Sequence, residues 1–460
     1  MARIAIVGAG MAGLGAALFL ARRGHAVDVI EQDPGEAPDD PEAAFSHWKR
    51  RGVPQACHSH NFLGLSSKVL SEEAPDLLAA LKAGGAFHHE RWGRLEDPFA
   101  YSLFARRLVY EAQVRKAMLR ETGVTLHTGL RATGLVARGS GAAPQVVGVR
   151  LEDCQELGAD IVVDASGRWT GARDWLAAIG ARPWREDLRE TPIFYVTRWY
   201  RLKAGQSLPP GKYPLVVPLP YLLAFAFPAD NGVFSISLAP SMADPCRATL
   251  RDPDVFTRFL QAIPALAPIV DRGEPITETF ALARINNCHR SLVDDAGPCV
   301  GGFVLLGDAA DHTNPTLGRG VSLGLAQAQF VARTAEAAVR DPLAYALRLN
   351  AWSNETIGAW FRTQAANDDV YLKALDASLA GEPPPPPPTA VRFRRAMFAL
   401  AEEDPEVAVA AARDYHVLAP PGAAQAEPRI AAKVRAYVEA SRAPPAPEGP
   451  TRREFEALVG

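Results

Sequence analysis

The chain has 460 residues, more than one ordinary domain, with 48% hydrophobic and 22% charged residues, the balance of a globular protein with two or three structural regions. Its formal net charge of -3 excludes a global basic field for nucleic acid or an anionic membrane surface. The five cysteines (Cys57, Cys154, Cys246, Cys288, Cys299) form no Cys-x-x-Cys pair; this argues against a disulfide framework or structural zinc and for free thiols in a reducing cytoplasm.

Ile4 to Ala21 is uncharged and apolar enough to imitate a signal peptide or membrane span. It opens on β-branched residues and holds four glycines, which a strand–turn–helix explains and a spanning helix does not. The pattern predicts a buried strand over 3–7, a helix over 12–23 and a strand over 26–30, one βαβ unit. Helical stretches follow over 61–82 and 107–121, then a strand-rich segment over 124–163. Short strands separated by Pro and Gly over 192–240 indicate a separate sheet. FVLLGDAAD, over 303–311, returns as a buried strand, followed by a helix from about Val321 to Val339. The run Pro383–Pro388 reads as a polyproline II spacer within a helical C-terminal region.

Two segments carry chemistry. In Gly8-Ala9-Gly10-Met11-Ala12-Gly13, Gly8 permits the turn from strand to helix, Gly10 clears the approach of a pyrophosphate, and Gly13 lets helix and strand pack closely. The helix N-terminus then faces the phosphates, and Glu31, ending the next strand, is placed to accept hydrogen bonds from a ribose. Further on, Gly307-Asp308-Ala309-Ala310 precedes Asn314-Pro315-Thr316-Leu317-Gly318-Arg319-Gly320. A buried strand there ends in an acid, and a Pro/Gly loop opens a helix. A carboxylate beside a helix N-terminus can hold a polyhydroxyl chain and a developing anion, or it is a plain capped turn.

AIVGAGMAGL…VIE, DIVVDASGR and GFVLLGDAADHTNPTLGRG resemble, in order, the three fingerprints of the FAD-dependent aromatic hydroxylase and squalene epoxidase type of monooxygenase. WKRRGVPQACHSH and YVTRWYR are similar to a branch that contains bacterial polyether epoxidases. The resemblance implies an α/β fold: a Rossmann-like FAD-binding domain (1–180 and 281–345) interleaved with a β-sheet substrate domain (181–280), plus a helical C-terminal region (346–460). It implies FAD held by Gly8, Gly10, Gly13, Glu31, Arg107 and Asp308, with Gly318 and Gly320 against the isoalloxazine. Arg51 and Gln55 match a loop that passes the flavin, although Arg50 fits the contacting arginine equally. The implied reaction inserts one atom of O2 into a hydrophobic substrate, by epoxidation or hydroxylation through a flavin C4a-hydroperoxide, in secondary metabolism. NAD(P)H is the electron source, directly or through a separate flavin reductase. Many relatives carry Asp-Gly where this chain has Ser166-Gly167, which favours the reductase. The tryptophan motif of indole halogenases is absent.

Candidates for a catalytic role are His58, Arg198, His312 and Pro315. His58, with His60, sits in the loop beside the flavin, where histidine is the usual proton-transfer group. Arg198 lies among Phe194, Tyr195, Trp199 and Tyr200, positioned to meet a substrate carboxylate or an aromatic ring; with Phe225 and Phe227 these aromatics supply the roof of the substrate pocket. His88-His89-Glu90 looks like a metal cluster, but adjacent residues on an extended chain point apart, and no metal is expected. Two other functions stay open: an FAD-dependent dehydrogenase or reductase of an alkene or prenyl substrate, and a non-catalytic FAD-binding redox sensor.

Overall fold

The computed structural model describes residues 1–139, 141, 143–440 and 448–459. Five parallel strands form the central sheet, in the spatial order Phe303–Leu305, Ile161–Asp164, Arg3–Val7, Ala26–Glu31, Val124–Thr128. Both faces are covered, so the first strand is apolar throughout. Ile4 and Ile6 face helices Met11–Ala21, Arg107–Leu119 and Gly320–Arg340. Ala5 and Val7 face the antiparallel strands Ala132–Arg138 and Gln145–Leu151. Met11–Ala21 and Gly320–Arg340 pack closely enough that a Cβ at Gly15 would lie 2.7 Å from Leu325 Cδ2.

A second, six-stranded antiparallel sheet has Leu222–Pro228, Val233–Pro240 and Tyr195–Leu202 at its centre. Helix Pro253–Gln261 packs Phe256 and Phe259 under one face; its opposite face looks toward the parallel sheet. Mixed α/β architecture and interleaved sheets therefore agree with the sequence reading. Helix Pro342–Ala380 packs on helix Gly320–Arg340 and strand Asn287–Ser291 and ends at Gly381, whose φ of +71° suits glycine. The polyproline run joins it to a cluster of three helices, Thr389–Leu400, Pro405–Tyr415 and Pro428–Glu439. Among the described residues no helix is long and apolar enough to cross a membrane.

One predicted helix is two. The stretch over 61–82 begins as a short strand, Asn61–Phe62, then forms helices Gly64–Glu73 and Pro75–Ala83. Pro75 forces the break, because proline excludes Ala74 from helical backbone and itself starts the next helix well.

Candidate functional site

The glycine turn between Val7 and Met11 opens on a cavity of about 980 Å³. Gly8 has φ +101°, and a Cβ there would sit 2.5 Å from the Ala165 carbonyl oxygen. A Cβ at Gly13 would lie 2.0 Å from the Gly8 oxygen. Gly10 differs: its φ is -81°, and a Cβ would meet nothing within 4 Å, because it points into the cavity. The first amides of helix Met11–Ala21 lie behind that open space without intrahelical acceptors.

Glu31 is buried at the same end. Its carboxylate accepts from the amides of Ala9 and Asp33, both at 2.9 Å. Arg50 is the arginine that holds this end: its guanidinium reaches Glu31 at 3.1 Å, Asp33 at 3.3 Å and Glu111 at 2.8 Å, and donates to the Ala9 carbonyl at 2.8 Å. Those carboxylates raise the Arg50 pKa against the opposing effect of burial. Arg107, the first residue of its helix, pairs with the other Glu111 oxygen at 3.2 Å and lines the cavity. Arg51 is exposed at the rim.

Asp308 stands in a single turn, Gly307–Ala309, after the last parallel strand. Gln55 Nε2 lies 3.4 Å from its carboxylate, so two residues far apart in sequence meet on the cavity wall. The Pro315–Leu317 turn, Gly318 (φ +64°) and the start of helix Gly320–Arg340 form the adjoining wall. A buried polar frame supports this loop. Asn287 Oδ1 accepts from the Asn314 amide at 2.7 Å, and Asn287 Nδ2 donates to Asp368 at 2.7 Å. Asp368 also accepts from Gln364 at 2.9 Å and Thr316 at 3.3 Å.

Burial pushes the Asp368 carboxyl up from 3.8 to about 6. A folded-state acid with a raised pKa favours folding at low pH and loses that contribution as pH rises from its unfolded to its folded value. Asp368→Asn removes this titration. Its stability relative to the parent is therefore expected to increase between pH 3.8 and about 6 and then level off. Chemical denaturation across that range checks it; a flat difference would mean that Asp368 titrates normally.

The second sheet closes the far side with Tyr195, Leu223, Phe225 and Phe227. The Tyr195 hydroxyl donates to Asn314 Oδ1, tying this roof to the Pro315–Gly320 loop. His58, Ser59 and His60 come from the loop beneath. Burial lowers His58 to about 4 and His60 to about 3, so both are neutral imidazoles near pH 7. Tyr415, from the C-terminal helices, also lines the cavity and accepts from Asn61 Nδ2 at 2.8 Å.

Two catalytic candidates lie outside. Arg198 does not line the cavity: it follows Thr197 on the strand and so takes the opposite face, where it donates to the Thr277 and Pro253 carbonyls at 3.0 and 2.9 Å. Its aromatic neighbour is Tyr200, with the guanidinium 6.0 Å from the ring. His312 is buried behind the Asp308 turn, with Nδ1 3.2 Å from the Asp308 carbonyl oxygen, and does not line the cavity. His58 and Pro315 do line it. Of the aromatic group, Phe194 and Tyr200 pack on the helix side of the sheet, and Trp199 packs on Phe45 and donates to the Cys57 carbonyl at 2.7 Å. His88 and His89 form no metal site; His89 accepts from the Tyr213 amide at 2.9 Å, and no cluster able to hold a metal occurs among the described residues.

Ser59, Ser237, Thr197 and Tyr415 were not singled out from the sequence as lining the site. The serines of VFSISLAP recur at period two, which was the available signal for a polar stripe on one face. Nothing local marked Tyr415.

The residues fit FAD. Gly10 leaves room at a helix N-terminus where a pyrophosphate would need it, the Glu31 and Asp308 carboxylates line the cavity where hydroxyls could meet them, and the same cavity continues to the Pro315–Gly320 loop. Comparison with known proteins agrees. Residues 3–96 match the family model described as FAD dependent oxidoreductase. The chain is 31% identical over 184 residues to kynurenine 3-monooxygenase of Salinispora arenicola, an alignment covering 37% of this chain and 37% of that protein. It is 27% identical over 370 residues to the protein Rv3254 of Mycobacterium tuberculosis, covering 72% of each. The crystal structure of p-nitrophenol 4-monooxygenase from Pseudomonas putida superposes with a TM-score of 0.65 at 17% identity, over 91% of this chain and 99% of that one. Residues 3–96 thus match an FAD-dependent oxidoreductase family model, and the whole chain has a fold seen in FAD-dependent monooxygenases of known structure.

Proposed function

We propose that the protein is an FAD-dependent monooxygenase that places one atom of O2 in a hydrophobic substrate, by epoxidation or hydroxylation. The observation that carries this reading is a single cavity lined at one end by the open glycine turn and at the other by an aromatic sheet. Gly8, Gly10, Gly13, Glu31 and Arg107 would hold the adenosine diphosphate part, with Arg51, Gln55 and Asp308 along the ribitol and Gly318 and Gly320 at the ring. Arg50 acts through Glu31 and Glu111, keeping the acids in place. Bound FAD supplies the redox chemistry that activates O2. The helix beginning at Gly320 offers unpaired amides and a positive dipole end, which stabilise negative charge nearby. Tyr195, Leu223, Phe225 and Phe227 exclude water from the space beside that loop.

Ser166 and Gly167 line the cavity without a carboxylate. Asp164, which precedes them in sequence, is fully buried and accepts from the Ser166 amide at 2.9 Å and the Thr170 hydroxyl. This supports electron delivery from NAD(P)H through a separate reductase. The test is reduction of the FAD-loaded protein, exposure to isotopically heavy O2 with hydrophobic alkenes and arenes, and mass spectrometry of the products. One heavy oxygen in the product is expected. Return to oxidised flavin with no labelled product, together with hydrogenation or dehydrogenation of the same compounds, would replace this reading with a dehydrogenase or reductase.

A further inference from the structure

The charges that line the cavity are unevenly placed. Glu31 and Arg50 stand at the glycine turn. Arg131 follows Leu130, whose amide donates to the Glu31 carbonyl at 3.1 Å, and Arg168 follows Ser166 and Gly167 beside Gly8. The guanidinium of Arg107 is matched by Glu111. Every lining residue borne by the six-stranded sheet, in contrast, is uncharged, and Arg198, the cation next to this face, is turned away to backbone carbonyls.

Beside the Tyr195 and Tyr415 hydroxyls, His60 and Asn61, the substrate end carries a connected chain of hydroxyls. His58 Nδ1 and Thr197 Oγ1 lie 2.9 Å apart, Thr197 and Ser237 2.7 Å, Ser237 and Ser59 2.8 Å, and Ser59 and Ser235 2.7 Å. Each hydroxyl donates one hydrogen bond and accepts others. Four hydroxyl protons serve four links, so the chain has spare acceptor capacity for a neutral group, and a spare donor when His58 Nδ1 donates to Thr197, but no net charge to balance an anion. The histidine at its end is neutral near pH 7, because burial lowers it to about 4.

We infer that this pocket selects an uncharged, largely apolar substrate with a hydroxyl or carbonyl that hydrogen-bonds to the Thr197–Ser237–Ser59 chain, and that it rejects carboxylates. The inference rests on the oxygenase reading only in naming the occupant a substrate. Its physical basis is independent: an anion moved from water into a site without a cation keeps its desolvation cost uncompensated, whereas a hydroxyl exchanges water for the chain.

The test uses matched ligands at neutral pH: a naphthol against the corresponding naphthoate, and a long-chain alkenol against the alkenoate. Binding to the FAD-loaded protein is followed by calorimetry and by perturbation of the flavin spectrum, and to the FAD-free protein by melting-temperature shift. The neutral member of each pair is expected to bind at least about 100-fold more tightly. Ser59, the part-exposed hydroxyl of the chain, is the test position: Ser59→Ala is expected to weaken the alcohol about 10-fold and leave the matched hydrocarbon unchanged. Val216 lines the cavity and is 41% exposed, so Val216→Arg keeps the sheet's packing while adding a cation; it is expected to strengthen carboxylate binding about 10-fold. Equal or tighter binding of the acids by the parent protein, or no binding of any neutral member, overturns the inference. Oxygen transfer is scored separately: selective binding of the neutral ligands without labelled product would leave the charge rule standing and overturn the oxygenase reading.

Discussion

Replacing Gly10 with leucine is expected to leave the apoprotein folded and to weaken FAD binding at least about 100-fold. The three glycines of the turn separate two roles that a single substitution usually confuses. Gly13→Ala would drive a methyl group to 2.0 Å from the Gly8 oxygen, and Gly8→Ala would strain a φ of +101° and strike Ala165; both damage the fold itself. Gly10 has φ -81° and open space in the Cβ direction, so a leucine there is accepted by the backbone and projects into the cavity. The measurements are the melting temperature of the flavin-free protein and the FAD-to-protein ratio after gel filtration. A folded Gly10→Leu protein that keeps its full complement of FAD would remove the pyrophosphate from this turn.

The second large effect is expected at Arg50. Its side chain is 1% exposed and faces Glu31, Asp33 and Glu111, whose side chains are 6%, 5% and 0% exposed. Arg50→Met keeps much of the apolar stem but leaves three buried acids without the cation that they share. Breaking a buried pair from one side costs about 3–5 kcal/mol, because the remaining charge stays desolvated. Denaturant unfolding of the parent and Arg50→Met at neutral pH reads the effect. A loss below about 1 kcal/mol, the range of exposed pairs, would show that the cluster is solvated.

The glycine turn was legible because its signals are local. Strand, glycines, helix and terminal acid lie within residues 3–31, and each glycine has a steric reason that depends on near neighbours. The second sheet was legible as a sheet but not in phase. Period two assigns Thr197 and Arg198 to opposite faces and does not say which face is inside; arginine among aromatics pointed to the cavity, yet helix Pro253–Gln261 supplies the carbonyl and hydroxyl that hold it on the other side. His312 followed the fingerprint so closely that proximity in sequence suggested proximity to the ligand, but the Gly307–Ala309 turn carries it behind the wall. Tyr415 was invisible because its position depends on how the helices after the polyproline spacer fold back, and no short-range pattern encodes that. Arg50 and Arg51 were indistinguishable in sequence; only the convergence of acids from two separate segments separates them.

The order of strands in the parallel sheet also governs how the protein is made. The strand Ile161–Asp164 gains its outer neighbour only from Phe303–Leu305. During synthesis, its free edge therefore waits for well over a hundred further residues, including the whole antiparallel sheet. Unpaired edges of this kind template association with other chains. The nascent protein thus passes through a long interval in which this edge is open to chaperones or to other chains.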